Sequence, residues 1–340
     1  MLFNESIRGN AHTMTTLTPF VEHAFDANEL LKTHPPRVTD VNKSIVFRLG
    51  LENHHSKEPK LHYSCWSQVK LPTTVSRLYL DLIHHNEYFS YPESTPECIE
   101  WHLNFAHEDL FAFYGGPLFA QDEMQVAEHP LLGCLREALI EEDIYRTTIK
   151  NGSATPILVS GVERKCRVDV SRDIAAGRPR GLYGNEFQYA SESAILEATT
   201  LIEPPTRSNI IAMESPQPDF GFYTRDQIEF ILASAITGFS AAVSQSKKIK
   251  SDASVSIHTG YWGCGAYGGN RELMPLLQII AAHCAEVDTL HFHSGGDNSG
   301  YFQALNTLDL ILPDLESISI EQLINIIFMM RYEWGVSDGN

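Results

Sequence analysis

The sequence predicts an α/β fold, a mixed β-sheet sandwiched by helices, on three observations. From about residue 97 onward, segments with strand patterning alternate with segments of helical periodicity. Two of the strand candidates, PILVSGV at 156–162 and NIIAM at 209–213, are short and apolar throughout, as strands covered on both faces are. A glycine-rich turn at 259–269 lies between a β-type run and an apolar helix, and sheets of this class take their ligands at the carboxyl ends of strands.

Taken in order, residues 1–96 read as a partly helical N-terminal extension. They are polar, carry Pro35 and Pro36 and an exposed-looking ENHHSKEPK at 52–60, and contain a helix candidate at 78–83. YPESTPE at 91–97 breaks the pattern and marks a boundary, which makes 97–340 the main domain. Ile99, Trp101, Leu103 and Phe105 alternate with polar residues, a half-buried strand signal. A turn at 113–119 precedes a helix that opens at Gln121, breaks at Pro130 and resumes over 131–140. Helices are expected at 227–243, with Ile228, Ile231, Leu232, Ala235 and Phe239 on one side, and from Leu273 through Leu276, Leu277 and Ile280. Strands are expected at 253–258 and 289–293, and an apolar helix at 320–334 should lie on the sheet.

Composition narrows the function classes. A formal charge of −18 argues against an open nucleic-acid surface, because phosphate backbones need clustered Lys and Arg to displace counterions. Six cysteines with no C-x-x-C pair fit free thiols in a reducing compartment better than a disulfide framework or a zinc site. The N-terminus lacks a basic region followed by an apolar core, and no 18-residue apolar run is present, so neither a signal peptide nor a membrane span is expected. Fifteen histidines raise a metal hypothesis, but His54/His55 and His84/His85 are adjacent pairs whose side chains diverge. His291 and His293 share a strand face with no third ligand evident, so neither a metal nor a cofactor is expected.

Two stretches carry chemistry. The turn at 259–269, TGYWGCGAYGG, follows a strand and precedes a helix, an arrangement that aims backbone N–H groups at a phosphate. It is neither G-x-x-x-x-G-K-[ST] nor G-x-G-x-x-G, and Tyr261, Trp262 and Tyr267 suit a bound ring or sugar. A tight loop with buried aromatics fits the same spacing, and spacing alone does not choose. The second stretch is Gln121-Asp122-Glu123, whose acids in a first helical turn are ordinary partners of the helix dipole.

The segment TGYWGCGAYGG closely resembles TGNWGCGAFGG of the poly(ADP-ribose) glycohydrolases, a catalytic macrodomain family, and the following LMPLLQIIAA is similar to that family's helix. Asn104-Phe105-Ala106-His107 followed by Gln121-Asp122-Glu123 resembles its Asp-Phe-Ala-Asn and Gln-Glu-Glu signatures, in the same order. The resemblance covers roughly 97–335 and implies a macrodomain-like fold. It implies that Glu123 is the catalytic carboxylate, with Asp122 fixing the ribose or supporting it. Asn104, Phe105, His107 and Gln121 would line the ribose and adenine side. Thr259, Gly260, Trp262, Gly263, Cys264, Gly265, Ala266, Tyr267 and Gly268 would hold the rest of ADP-ribose, with the diphosphate on Gly263 to Gly268 and Tyr267 beside the distal ribose.

Four departures qualify the substrate: Asp122 stands for a glutamate, Gly115-Gly116 replaces a three-glycine run, Tyr261 replaces an asparagine, and 161–169 has no counterpart of the family's tyrosine segment. The resemblance then implies release of ADP-ribose either from poly(ADP-ribose) or, as in related bacterial effectors, from single units on arginine, with ubiquitin among the modified proteins. Glu214, Asp219 and Asp226 are candidates for a second carboxylate facing a guanidine leaving group. The expected partner is an ADP-ribosylated protein, with no nucleic acid and no membrane, in the cytoplasm or in a host cytosol after delivery. A non-hydrolytic ADP-ribose reader is the alternative, separated from the enzyme only by the carboxylates.

Overall fold

The computed structural model describes residues 17–52, 55–76, 79–312 and 317–339. In chain order the elements begin with β1 (Val21–Asp26), α1 (Ala27–Thr33), α2 (Val41–Leu51), β2 (Lys60–Cys65), β3 (Thr74–Ser76), β4 (Asp81–His85) and β5 (Cys98–Phe105). They continue with α3 (Gln121–Glu128), α4 (Leu131–Glu141), β6 (Ile149–Lys150), β7 (Ser153–Ala154), β8 (Ile157–Val168), α5 (Glu192–Ala198), β9 (Thr199–Met213) and α6 (Arg225–Ile249). The chain closes with β10 (Ser254–Gly260), α7 (Leu273–Cys284), β11 (Thr289–His293), α8 (Ser299–Ile311), β12 (Ser317–Ser319) and α9 (Ile320–Met329).

The main sheet has eight strands in the order β1-β2-β8-β9-β5-β10-β11-β4. From β9 to β4 every neighbouring pair is parallel, and from β9 to β1 every pair is antiparallel. The expected mixed sheet between helical layers is therefore present. Alternation along each strand feeds two cores. Trp101, Leu103, Ile211, Met213, Ile257 and Phe292 pack with α6 to α9, while Ile210, Ala212, Val159 and Leu61 pack with α1 to α5 on the other face.

Three expectations change. Residues 1–96 are not simply a helical extension: β1 and β2 form one edge of the sheet and β4 the other, so the sheet runs across the boundary expected at 96/97. The helix expected at 78–83 is the strand β4 where it is described, because Asp81 to His85 pair residue by residue with Thr289 to His293. Local pattern over six residues does not distinguish a short helix from an edge strand whose partner lies 200 residues away. The closing helix stops at Met329 and packs on α6 through Leu323, Ile324 and Ile327 rather than on the sheet. Residues 1–16, His54 and Leu78 lie outside the described residues, as does the absence of a signal peptide expected for the N-terminus.

Helix α6 is opened by a reciprocal cap, in which Thr224 Oγ1 accepts from the Gln227 N–H at 3.2 Å and Gln227 Oε1 accepts from the Thr224 N–H at 2.9 Å. By length and mean hydropathy it is apolar enough to cross a membrane, yet most of it is buried against the sheet and α7. Helix composition alone does not separate a core helix from a span.

Candidate active site

All five parallel strands send their carboxyl ends to one cavity of about 840 Å³. Asn86 to Phe89 follow β4, Phe105 to His107 follow β5, Ser215 follows β9, Gly260 to Gly263 follow β10, and His293 to Gly296 follow β11. Crevices of this kind form where parallel strands end, because the connections leave the sheet in different directions there.

One wall is the head of α3. Its cap position is Ala120, which has no side-chain acceptor, so Glu123 folds back and its Oε2 accepts from the Ala120 N–H at 3.1 Å. Asp122 Oδ1 accepts from Asn104 Nδ2 at 2.9 Å. Gln121 ties the helix to the end of β5, donating from Nε2 to the Leu103 carbonyl at 3.0 Å and accepting at Oε1 from the Phe105 N–H at 2.8 Å. Asp122 and Glu123 are buried, 7% and 3% exposed, and both line the cavity. Burial raises both carboxyl groups above their ordinary range, Asp122 is raised further by Glu123, and Lys43 pulls each back.

Lys43 was not singled out from the sequence. It sits on α2, fully buried, and donates to the Tyr114 carbonyl at 3.0 Å and the Phe113 carbonyl at 3.4 Å. Burial pushes its ammonium down to about 8, opposed by Glu123 and Asp122. The signal was available: Lys43, Val46, Phe47 and Gly50 share one helical face, so the stripe that must be buried carries a single cation. A buried amine needs partners, and the turn at 113–114 and the carboxylates supply them.

The opposite wall is the glycine turn after β10. Its closing bonds run from the Trp262 N–H to the Gly260 carbonyl, Cys264 to Tyr261, Gly268 to Gly265, and Gly269 to Gly263. The amides of Gly263, Gly265, Ala266 and Tyr267 have no hydrogen-bond partner among the described residues. Gly263 has φ +74°, and a Cβ there would stand 2.5 Å from Ser215 Oγ, so a side chain is excluded twice over. Trp262 is buried and donates from Nε1 to the Met213 carbonyl at 3.0 Å, pinning the turn to β9. Tyr267 donates its hydroxyl to Glu214 Oε1 at 2.8 Å, and its phenol is raised by burial, by Glu214 and, across the cavity, by Asp122.

Phe105, His107, Gln121, Asp122, Glu123, Gly260, Trp262, Gly263, Gly265, Ala266 and Tyr267 are thus brought to one cavity. Asn104, Thr259, Cys264 and Gly268 stand behind its walls. Asn104 is buried and positions Asp122; Thr259 bonds Gln278 of α7; Cys264 is buried; Gly268 lies under residues 335–337. A strand's alternation puts neighbours of a lining residue on the far face, which a contiguous motif conceals. Of the three second carboxylates, Asp219 and Asp226 are exposed near the start of α6. Glu214 is buried beside Tyr267, and burial pushes it up to about 7.

Other lining residues carried no motif: Tyr88 and Tyr183 with rings 6.3 Å apart, Arg167, and Arg271, which pairs with Asp297 at 2.9 Å. Residues 335–338 cross the glycine turn. The Asp338 N–H donates to the Gly265 carbonyl at 3.3 Å, and Asp338 Oδ2 is 3.2 Å from where a Gly265 side chain would begin.

Residues 179–300 match the family described as poly(ADP-ribose) glycohydrolase (PARG), macro domain fold. A probable poly(ADP-ribose) glycohydrolase 2 of Arabidopsis thaliana is 23% identical over 83% of this chain and 60% of its own length, so the chain spans about 60% of that curated relative. Among solved structures, the Thermomonospora curvata poly(ADP-ribose) glycohydrolase has a TM-score of 0.41 at 11% identity, covering 84% of this chain and 85% of that one. The Deinococcus radiodurans enzyme in complex with ADP-ribose has a TM-score of 0.38 at 12% identity, covering 84% and 95%. Over 179–300 the chain is similar to that family. That segment contains the glycine turn and begins at residue 179, downstream of both buried carboxylates of α3.

Proposed function

We propose that this chain is an ADP-ribosyl glycohydrolase that releases ADP-ribose from a modified protein. The observation that carries it is the pair of walls: amides on the glycine turn that have no partner among the described residues and two buried carboxyl groups at the head of α3 face one cavity. The diphosphate takes the amides of Gly263 to Tyr267, where backbone dipoles bind anions in spite of the chain's net negative charge. Arg167 and Arg271 add cationic character at the rim, and Tyr88, Phe89 and Tyr183 suit an adenine ring.

Held there, the distal ribose is pressed toward Glu123. Glu123 begins protonated, as its raised affinity for protons allows, and gives its proton to the leaving atom as the bond to the anomeric carbon breaks. The oxocarbenium-like centre takes a water, whose proton returns to the Glu123 carboxylate. Asp122, fixed by Asn104, holds a ribose hydroxyl with its second oxygen.

For an arginine-linked substrate, including ADP-ribosylated ubiquitin, the leaving guanidine departs protonated, and Glu214 is the carboxyl group best placed near the turn to orient it. Action in the cytoplasm or in a host cytosol belongs to the same proposal. One observation favours the reader alternative: an oxygen of Glu123 is already occupied by the Ala120 N–H, as in a purely structural cap.

The test is a panel of substrates, each ADP-ribosylated at one residue type through one defined linkage, with released ADP-ribose measured by mass spectrometry. Release from one linkage by the wild type and not by Glu123→Gln is expected. Stable binding of every substrate with no release over hours would leave a reader.

A further inference from the structure

We propose that Glu100, His258 and His291 bind a divalent transition-metal cation of the zinc class, at a site separate from the cavity and independent of the hydrolase reading. The three residues come from neighbouring parallel strands, β5, β10 and β11, in which Ser256 pairs with Glu100 and His258 with His291. One ligand atom from each lies within 4.8 Å of the others. Tetrahedral zinc, with metal–ligand distances of about 2.0–2.2 Å, sets neighbouring ligand atoms roughly 3.3 Å apart, so small side-chain rotations close the set.

The surroundings already fix how each ring presents itself. His258 Nδ1 is 2.9 Å from His293 Nε2, which directs His258 Nε2 at Glu100 Oε2, 3.0 Å away. His291 Nδ1 is 2.9 Å from His85 Nε2, which leaves its Nε2 for a metal. Metal-ligating imidazoles are commonly oriented by a hydrogen bond at the other ring nitrogen, and both ligands have one here. The His258 and His291 rings stack 4.3 Å apart at 11°, with their in-plane lone pairs side by side, so taking up the ion tilts the His291 ring toward it.

The donor set of two imidazoles and one carboxylate suits zinc or a chemically similar cation, and a fourth position is left for water. His258 is buried while Glu100 and His291 are half-buried, which gives the ion a route from solvent. The site lies on the face of β10 opposite Thr259, whose side chain reaches Gln278 of α7. Bound there, the ion would staple three strands just before β10 enters the glycine turn.

The experiment uses untagged full chain, stripped with a chelator and dialysed against Zn²⁺ or, separately, Co²⁺. One equivalent of zinc by elemental analysis, a tetrahedral Co²⁺ absorption band, and at least a tenfold loss of Zn²⁺ affinity in Glu100→Gln and in His291→Ala are expected, with unchanged circular dichroism. His84→Ala, on the neighbouring strand, should bind as the wild type does. Binding below one-tenth of an equivalent, or one equivalent retained in the Glu100→Gln/His291→Ala double variant, overturns the site. Release of ADP-ribose from the substrate panel is read separately, so failure of either idea is visible without the other.

Discussion

The two walls of the cavity are built alike and do opposite things. Each is a parallel strand, a long loop and a helix: β5 to α3, and β10 to α7. On the first wall, the helix head is filled by the chain's own acids, Asp122 and Glu123, with Glu123 closing on the Ala120 N–H. On the second, glycines hold the backbone in turns and the amides of Gly263, Gly265, Ala266 and Tyr267 are left for a ligand. The same topology therefore presents proton-holding groups on one side and anion-seeking dipoles on the other. The difference lies in whether the chain supplies its own negative charge or waits for one. It also follows the comparison with known proteins, since the matched segment, 179–300, contains the second wall and omits the first.

The largest expected effects separate the walls by function. Glu123→Gln should lower turnover at least 100-fold while leaving the ADP-ribose Kd, measured by calorimetry, within about threefold, because it removes a proton donor and keeps the shape. Gly263→Val should do the reverse and weaken ADP-ribose binding at least tenfold, since both the positive φ and Ser215 exclude a side chain. Gly152→Ala is the control: its φ is +77° with open space around it, so it should cost about 1 kcal/mol of stability and leave binding alone. Equal loss of binding in the two acid-wall and glycine-wall variants would erase the proposed division of labour.

A smaller effect tests the charge on the first wall. Asp122 binds protons more tightly folded than unfolded, so its burial costs stability once pH rises above its unfolded value, and the cost is complete above its folded value. Asp122→Asn should therefore melt higher than wild type at pH 8, by roughly 2 °C, with the gain vanishing near pH 4, while turnover falls. A constant difference across pH would show that packing, not the carboxylate, is responsible. The smallest effect concerns the second wall. Asp338 places a carboxylate against the Gly265 backbone, so a diphosphate arriving there meets like charge. Asp338→Asn should tighten ADP-ribose binding about two- to fivefold, more at low salt than at high, as titration at two ionic strengths would show.

Much of this was legible because the relevant signals are local. The alternation of Ile99, Trp101, Leu103 and Phe105, the break at Pro130, the periodicity from Leu273 to Ile280 and the glycine turn each describe what a few consecutive residues do, and each element is found. The acids at 122 and 123 were visible as residues, but their burial was not. Nor were their partners: Asn104 bonds Asp122, and Lys43, eighty positions earlier, lowers the proton affinity of both acids. Thr259 and Cys264 read as site residues because a motif is contiguous, whereas a strand and a turn send alternate side chains away from the ligand face.

By itself, then, the sequence determined β5, α3, α4, β10, α6, α7 and β11, parts of β8 and β9, and the two motif-bearing loops, since periodicity and glycine conformation are properties of short segments; α5 and α8 carried no such reading. Tertiary structure alone decided that residues before 97 complete both edges of the sheet, that Lys43 backs the acids of α3 and Asp338 reaches the cavity, and that Glu100, His258 and His291 meet. The physical reason is register: Cys98 of β5 pairs with Ser254 of β10 and Asp81 of β4 with Thr289 of β11, and no short-range pattern encodes which distant partner a strand will find.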